Sequence, residues 1–226
     1  MLKAIRTIER ALSEIYNLDT SLRAEDFLVT VPPSRAGTVS SGKTFESMHG
    51  AIYVHYDEAA AQDEEPQVDI GIFLSESLIE TLGSTSIECP ATWNEAQSHA
   101  VAIAGEEISH FHYLLYHAQA GRSVSQLELE IQGDIDKFLL LYFSRQSWEK
   151  QSFDEIFDRV FEHFSLSHRL TKEQVTRYLE ANQFARKCIH KHRDALQSST
   201  KIETALKSLR RFYRLGASEK ISLLAP

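Results

Sequence analysis

Cysteine is scarce in this chain. Cys89 and Cys188 are the only two, far apart and outside any metal-ligand spacing. Such a pair builds no disulfide framework, and a reduced, cytoplasmic setting with free thiols is the expectation. No apolar run approaches the roughly 20 residues that span a bilayer, so no membrane partner is expected. The opening residues, MLKAIRTIERALSEIYNL, scatter charge through an amphipathic pattern and lack the layout of a signal peptide. Internal repeats and low-complexity segments are missing. No Gly-x-Ser-x-Gly turn occurs, which leaves covalent hydrolase chemistry unsupported. His-Glu-x-x-His is missing as well.

Basic residues are sparse through most of the chain. Residues 1–140 hold 8 Lys/Arg against 22 Asp/Glu, whereas residues 141–226 hold 16 against 10. The acidic part argues against wholesale nucleic-acid binding, and the basic part leaves room for a local anionic partner. At 226 residues the chain has ample length for a core, and 42% hydrophobic with 25% charged residues is an ordinary globular balance.

What is present divides the chain in two. Leu2 to Leu18 has helical spacing, with Leu2, Ile5, Ile8, Leu12 and Ile15 on one face. Phe27–Val31, His49–Tyr56 and Val68–Leu74 have strand character. After Ser75 the pattern is helical. The expected fold is α+β: an N-terminal helix and about three antiparallel strands over residues 1–90, followed by a bundle-like helical region over residues 91–226. Thr92-x-x-Glu95, Ser123-x-x-Gln126, Ser152-x-x-Glu155 and Thr171-x-x-Gln174 have capping-box form, in which hydroxyl and third residue satisfy orphan N–H groups reciprocally. Gly121 stands where a helix ends, two residues before Ser123. The predicted helices 92–120 and 124–145 are therefore antiparallel neighbours.

That hairpin carries the chemistry. Between Ala96 and Gly121 only Glu106 and Glu107 are charged, yet His99, His110, His112 and His117 lie among apolar and small residues. A helix so poor in charge is buried, and its polar groups need partners. At 100° per residue His99, Glu106, His110, Tyr113 and His117 share a stripe. On the second helix Leu127, Ile131, Ile135, Phe138 and Tyr142 form the apolar face. Glu130, Asp134 and Lys137 point away from it, while Glu128, Gln132 and Asp136 lie inside or beside it. Counting back from the turn puts Gln132 opposite His110, Asp136 opposite Glu106, and Glu128 near Tyr113 and His117. Glu106, His110, Glu128, Gln132 and Asp136 thus form the candidate catalytic cluster. Glu106, His110, Glu128 and Asp136 are its candidate ligands for zinc or a harder divalent ion. Two other readings of the same cluster are metal-free acid–base chemistry and a buried polar network that fixes helix register. Glu107-x-x-His110 also matches half of a carboxylate-bridged di-iron bundle motif, a superficial likeness.

Three further signals are less specific. Gly37-Thr-Val-Ser-Ser-Gly42-Lys43-Thr44 spells a phosphate loop, but Pro32-Pro33 separates it from the preceding strand and another strand follows, so the context points to chance. His190-x-His192 lies near Cys188, but Cys188 and His192 share an apolar helix face with Asn182, which argues for core packing. From Arg177 to Arg214 there are 10 Lys/Arg against three acids, ending in Arg210-Arg211-Phe212-Tyr213-Arg214. Arg210, Arg211, Tyr213 and Arg214 could hold phosphates or stack bases; a solvated charged face is the plainer reading.

Glu106-Glu-Ile-Ser-His-Phe111 followed by Glu128-Leu-Glu-Ile-Gln-Gly-Asp-Ile-Asp-Lys-Phe138 resembles a family of uncharacterised bacterial proteins that carries E-G-V-S-H-F and E-L-E-L-Q-x-E-V-D-K-F at this spacing. The likeness continues through Ala181-Asn182 and Arg210–Arg214, with Glu107 in place of the family's Gly and Asp134 in place of its Glu. The resemblance implies a bacterial cytosolic protein and carries over no activity. The functional expectation is a buried Glu/His/Gln/Asp site of metal-dependent, hydrolase-like character, with enzymatic activity left open. The alternative is a non-enzymatic binding protein whose basic C-terminal helices take nucleic acid or an acidic protein partner.

Overall fold

The computed structural model describes residues 1–19, 21–29, 49–56, 68–146, 152–164, 166 and 170–224. The phosphate-loop look-alike at 37–44 lies outside the described residues. The fold is α+β, as expected. α1 (Leu2–Tyr16) is followed by a short 3-10 turn, then β1 (Leu28–Val29), β2 (Gly50–Tyr56) and β3 (Val68–Leu74). The remaining elements are α2 (Glu76–Ser84), α3 (Glu95–Gln119), α4 (Gln126–Gln146), α5 (Phe153–Phe161), α6 (Lys172–Lys191), α7 (Arg193–Leu196), α8 (Ile202–Tyr213) and α9 (Ala217–Leu224).

The sheet is mixed, a correction to the antiparallel expectation. Its order is β1-β3-β2, with β2 and β3 antiparallel and β1 parallel to β3 through Leu28↔Ile72 and Val29↔Phe73. Strand direction at a two-residue edge depends on long-range placement, which local alternation does not encode. Ile52 and Ile72 face each other in the main core, while Ala51, Tyr53 and Phe73 pack with Val29 on the other side.

Helix boundaries follow hydrogen-bonding chemistry. The capping boxes at Ser152 and Thr171 form as written in the sequence. α3 instead starts three residues after Thr92-x-x-Glu95 begins, with Asn94 and Gln97 as its capping box. At α4 the reciprocal pair is Ser125 and Glu128: Ser125 N–H donates to Glu128 Oε2 at 2.9 Å and Glu128 N–H donates to Ser125 Oγ at 3.2 Å. Gly121 has φ +66° directly after α3, and Arg122 N–H closes back on the His117 carbonyl at 2.9 Å. This left-handed termination turns the chain sharply, and it suits glycine.

α4 is the structural axis. It packs against α3, α6, α5 and α1. Leu129, Ile131, Ile135, Phe138, Leu139, Leu140 and Leu141 are all buried, so it has no single apolar face. Of its polar residues Glu128, Glu130, Gln132 and Asp136 are buried among other helices, whereas Asp134 and Lys137 are partly exposed, and that decides where the functional groups meet.

Candidate functional site

The crossing of α3 and α4 is set by Gly133. A Cβ there would come within 2.8 Å of His110 Nε2 and 3.2 Å of Glu106 Cγ. Depth along the hairpin is thus one residue from the expected pairing of His110 with Gln132. The rotation about α4 differs, however. With Gly133 at the crossing, Glu130, Asp134 and Lys137 lie to one side of it, and Gln132 and Asp136 to the other. The five residues expected to converge therefore separate into three sets.

Glu106 and His110 belong to the first set, with Glu130 in place of Gln132. One donor atom from each of Glu106, His110 and Glu130 lies within 4.8 Å of the others. His110 Nε2 is 3.1 Å from the Leu129 carbonyl. Only an N–H can satisfy that carbonyl, which leaves Nδ1 as the lone-pair nitrogen when the ring is neutral. No hydrogen bond reaches His110 Nδ1 or Glu130 Oε1, although both residues are buried. Around them stand Glu107 Oε2 at 3.6 Å from His110 Nδ1, and Arg177 Nε at 3.9 Å from Glu130 Oε1. Lys137 Nζ is 3.2 Å from Glu106 Oε2 and 2.6 Å from Asp134 Oδ1. Burial raises the Glu130 carboxyl, with Glu106 and Asp134 adding repulsion and His110 opposing them. Burial opposes charge on His110, but the surrounding carboxylates, Glu107 foremost, outweigh it and raise the imidazole. Burial likewise opposes the Lys137 ammonium, and Asp134 and Glu106 hold its proton above the usual range.

Gln132 and Asp136 form the second set with Tyr16 of α1, Ser109 of α3 and Lys220 of α9. Tyr16 Oη and Ser109 Oγ (2.5 Å) donate to Asp136, and Gln132 Nε2 donates to Asp136 Oδ1 at 3.0 Å. The same amide lies 2.9 Å from Tyr16 Oη, and its carbonyl accepts from Lys220 Nζ at 3.1 Å. Lys220 is 0% exposed, with its ammonium 4.4 Å from the Tyr113 ring centre and 4.9 Å from that of Phe212. Burial lowers it to about 7 against the pull of Glu128 and Asp136. Burial raises Asp136 to about 6, with its three hydrogen bonds working in the opposite direction. Every donor and acceptor named here is used internally, so the set holds helices together.

Glu128 forms the third set at the hairpin turn, near Tyr113 and His117 as its depth predicts. Besides capping α4 it accepts from Arg122 Nη1 at 2.7 Å, and Tyr113 Oη lies 3.3 Å away. Burial would raise its carboxyl, but Ser125 and Arg122 bring it below the usual range. Arg122 Nε donates to His117 Nδ1 at 2.9 Å, so His117 Nε2 carries the hydrogen that meets the Tyr213 carbonyl at 3.2 Å. Desolvation and Arg122 together lower His117 to about 4.

Glu107 and His112, which lie off the His99–His117 stripe of α3, are also buried. His112 Nε2 is 3.3 Å from Glu9 Oε1, which accepts from Ala24 N–H at 2.9 Å. Glu107 lies under the sheet, where a Cβ on Gly50 would meet its Cγ at 2.8 Å. The readable signal for Glu130 is its position between Leu129 and Ile131 in a helix about to be surrounded. For Lys220 it is the stripe Ala217, Lys220, Ile221, Leu224, with a lysine in an apolar slot.

The basic-aromatic run has a structural role. Arg210 Nε donates to the Ile15 carbonyl at 2.8 Å and Nη2 to Glu14 at 3.3 Å, while Nη1 meets Glu203 at 2.9 Å. Arg214 Nη2 reaches the Tyr16 carbonyl at 3.4 Å. Two guanidinium groups thus cover the negative end of α1. Tyr213 is buried and stacks on Tyr16 with ring centres 4.2 Å apart; Arg211 is exposed. Cys188 and Asn182 are buried on α6, in line with core packing, and His192 bonds to the Cys188 carbonyl and to Ser208.

Comparison with family models, with curated proteins and with solved structures returned no match for the chain. Among the described residues no helix is long and apolar enough to cross a membrane.

Proposed function

We propose that the chain binds a divalent transition-metal ion through Glu106, His110 and Glu130 and uses it in hydrolytic chemistry. The observation that supports this most directly is the pair of buried, hydrogen-bond-free donor atoms, His110 Nδ1 and Glu130 Oε1, on two residues that cluster with Glu106. The concentration of carboxylates supports the same reading: Glu106, Glu107, Glu130 and Asp134 gather around His110, Lys137 and Arg177, an arrangement that attracts a cation. Carboxylate and imidazole donors suit zinc, manganese or ferrous iron. Three protein ligands would leave coordination positions for a water molecule, whose proton such an ion makes easier to remove. Glu106, Asp134 and Lys137 are partly exposed and form the edge at which an ion and a substrate would enter.

The test is metal analysis of protein purified without a histidine tag, followed by calorimetric titration with Mn²⁺ and Zn²⁺. Glu106→Gln, His110→Ala and Glu130→Gln should each weaken binding at least about tenfold, and Asp136→Asn should not. Absence of binding by the folded wild-type protein, or equal binding by all four variants, overturns the proposal.

A further inference from the structure

We propose that Lys137 is a built-in competitor for the metal, its ammonium holding the Glu106 carboxylate until an ion displaces it. This inference rests on the metal reading above. Lys137 Nζ lies 3.2 Å from Glu106 Oε2 and 2.6 Å from Asp134 Oδ1, so one ammonium bridges α3 and α4 at the edge of the site. A divalent ion bound to Glu106 at about 2.0–2.2 Å would bring a second cation onto the same carboxylate. Two cations sharing one carboxylate repel, and the ammonium is the one that can leave. Its aliphatic stem is flexible and the side chain is 22% exposed.

Asp134 makes that departure inexpensive. It lies three residues before Lys137 on the same helix and gives the shorter of the two contacts. After release from Glu106 the ammonium keeps Asp134 and regains water. Glu130 and His110 lie deeper and have no lysine contact among the described residues, so displacement is confined to the one ligand at the rim. The arrangement gives a site with a raised concentration threshold. At low metal the lysine closes the carboxylate ring, and at high metal it swings out and leaves the rim open.

Calorimetry with Mn²⁺ alone tests this on the full chain. Lys137→Met should bind at least about tenfold more tightly than wild type. Asp134→Asn should bind more weakly, because Lys137 then relies on Glu106. A second readout separates displacement from a fixed charge acting through space. Lys137 in the wild-type protein should react faster with a water-soluble acylating reagent when Mn²⁺ is present, as read by peptide mass spectrometry. If neither wild type nor Lys137→Met binds Mn²⁺, the metal reading itself falls. If wild type binds and Lys137→Met binds equally or less tightly, only the competitor role is overturned. Tighter binding with unchanged labelling also overturns it.

Discussion

Replacing Lys220 by methionine should change the sign of its effect on stability as pH rises. The folded protein takes a proton on Lys220 only below about 7, against an ordinary value of 10.5. The unfolded chain takes that proton throughout the interval, so wild-type stability rises with pH between the two values. Below pH 7 the charged, buried lysine costs about 5 kcal/mol relative to a neutral one. Methionine keeps the length and apolar body of the stem but loses the hydrogen bond to Gln132 Oε1, worth roughly 1–2 kcal/mol. At pH 7 Lys220→Met should therefore be the more stable protein by about 3 kcal/mol. At pH 10.5 it should be the less stable by roughly 1–2 kcal/mol, with the crossing near pH 9–10. Urea denaturation of both proteins in half-unit steps from pH 7 to 10.5 measures this. Other titrations are shared by the two proteins and cancel in the difference. A difference that keeps one sign and size across the range refutes the argument. It would mean that Asp136, Glu128 and the two rings hold Lys220 fully charged.

Two more outcomes follow from packing. Alanine usually gains about 1 kcal/mol over glycine inside a helix. Gly133→Ala should instead lose roughly 1–3 kcal/mol in urea unfolding, because the new methyl group meets His110 Nε2 at 2.8 Å; a stabilised variant would disprove the close crossing. Arg210→Ala should cost about 1–2 kcal/mol by exposing the Glu14 and Ile15 carbonyls of α1, and an unchanged melting temperature would show that the arginine is a solvated surface charge.

Local chemistry was legible in the sequence wherever it is self-contained. Ser152-x-x-Glu155, Thr171-x-x-Gln174 and Gly121 each make the bonds their types predict. Depth along the α3–α4 hairpin was legible too, since it follows from the turn and the 1.5 Å rise per residue. Rotation was not. Sorting α4 into an apolar and a polar side assumes one buried face, but α6 covers the side carrying Glu130, and Arg177 meets it there. Hence Glu130 meets α6 instead of pointing outward, and Gln132 and Asp136 turn to Tyr16 of α1 instead of to His110. The small residue at the crossing, Gly133, fixes the rotation, and its importance emerges only once its neighbours are known. Glu128 was placed correctly in depth, yet its partners are the capping serine and Arg122, because Ser125 rather than Ser123 starts the helix.

The side chain of Gln132 is shared by two elements that leave the ribosome far apart in time. Its amide nitrogen meets Tyr16 on α1, and its carbonyl meets Lys220 on α9. Synthesis proceeds from the N-terminal end, so α1, α3 and α4 can pack while α9 is still unmade. During that interval the Gln132 carbonyl lacks the hydrogen bond that it accepts from Lys220 Nζ in the folded protein. Docking of α9 then supplies Lys220 Nζ to that carbonyl and ties α9 to α1 through a single side chain of α4.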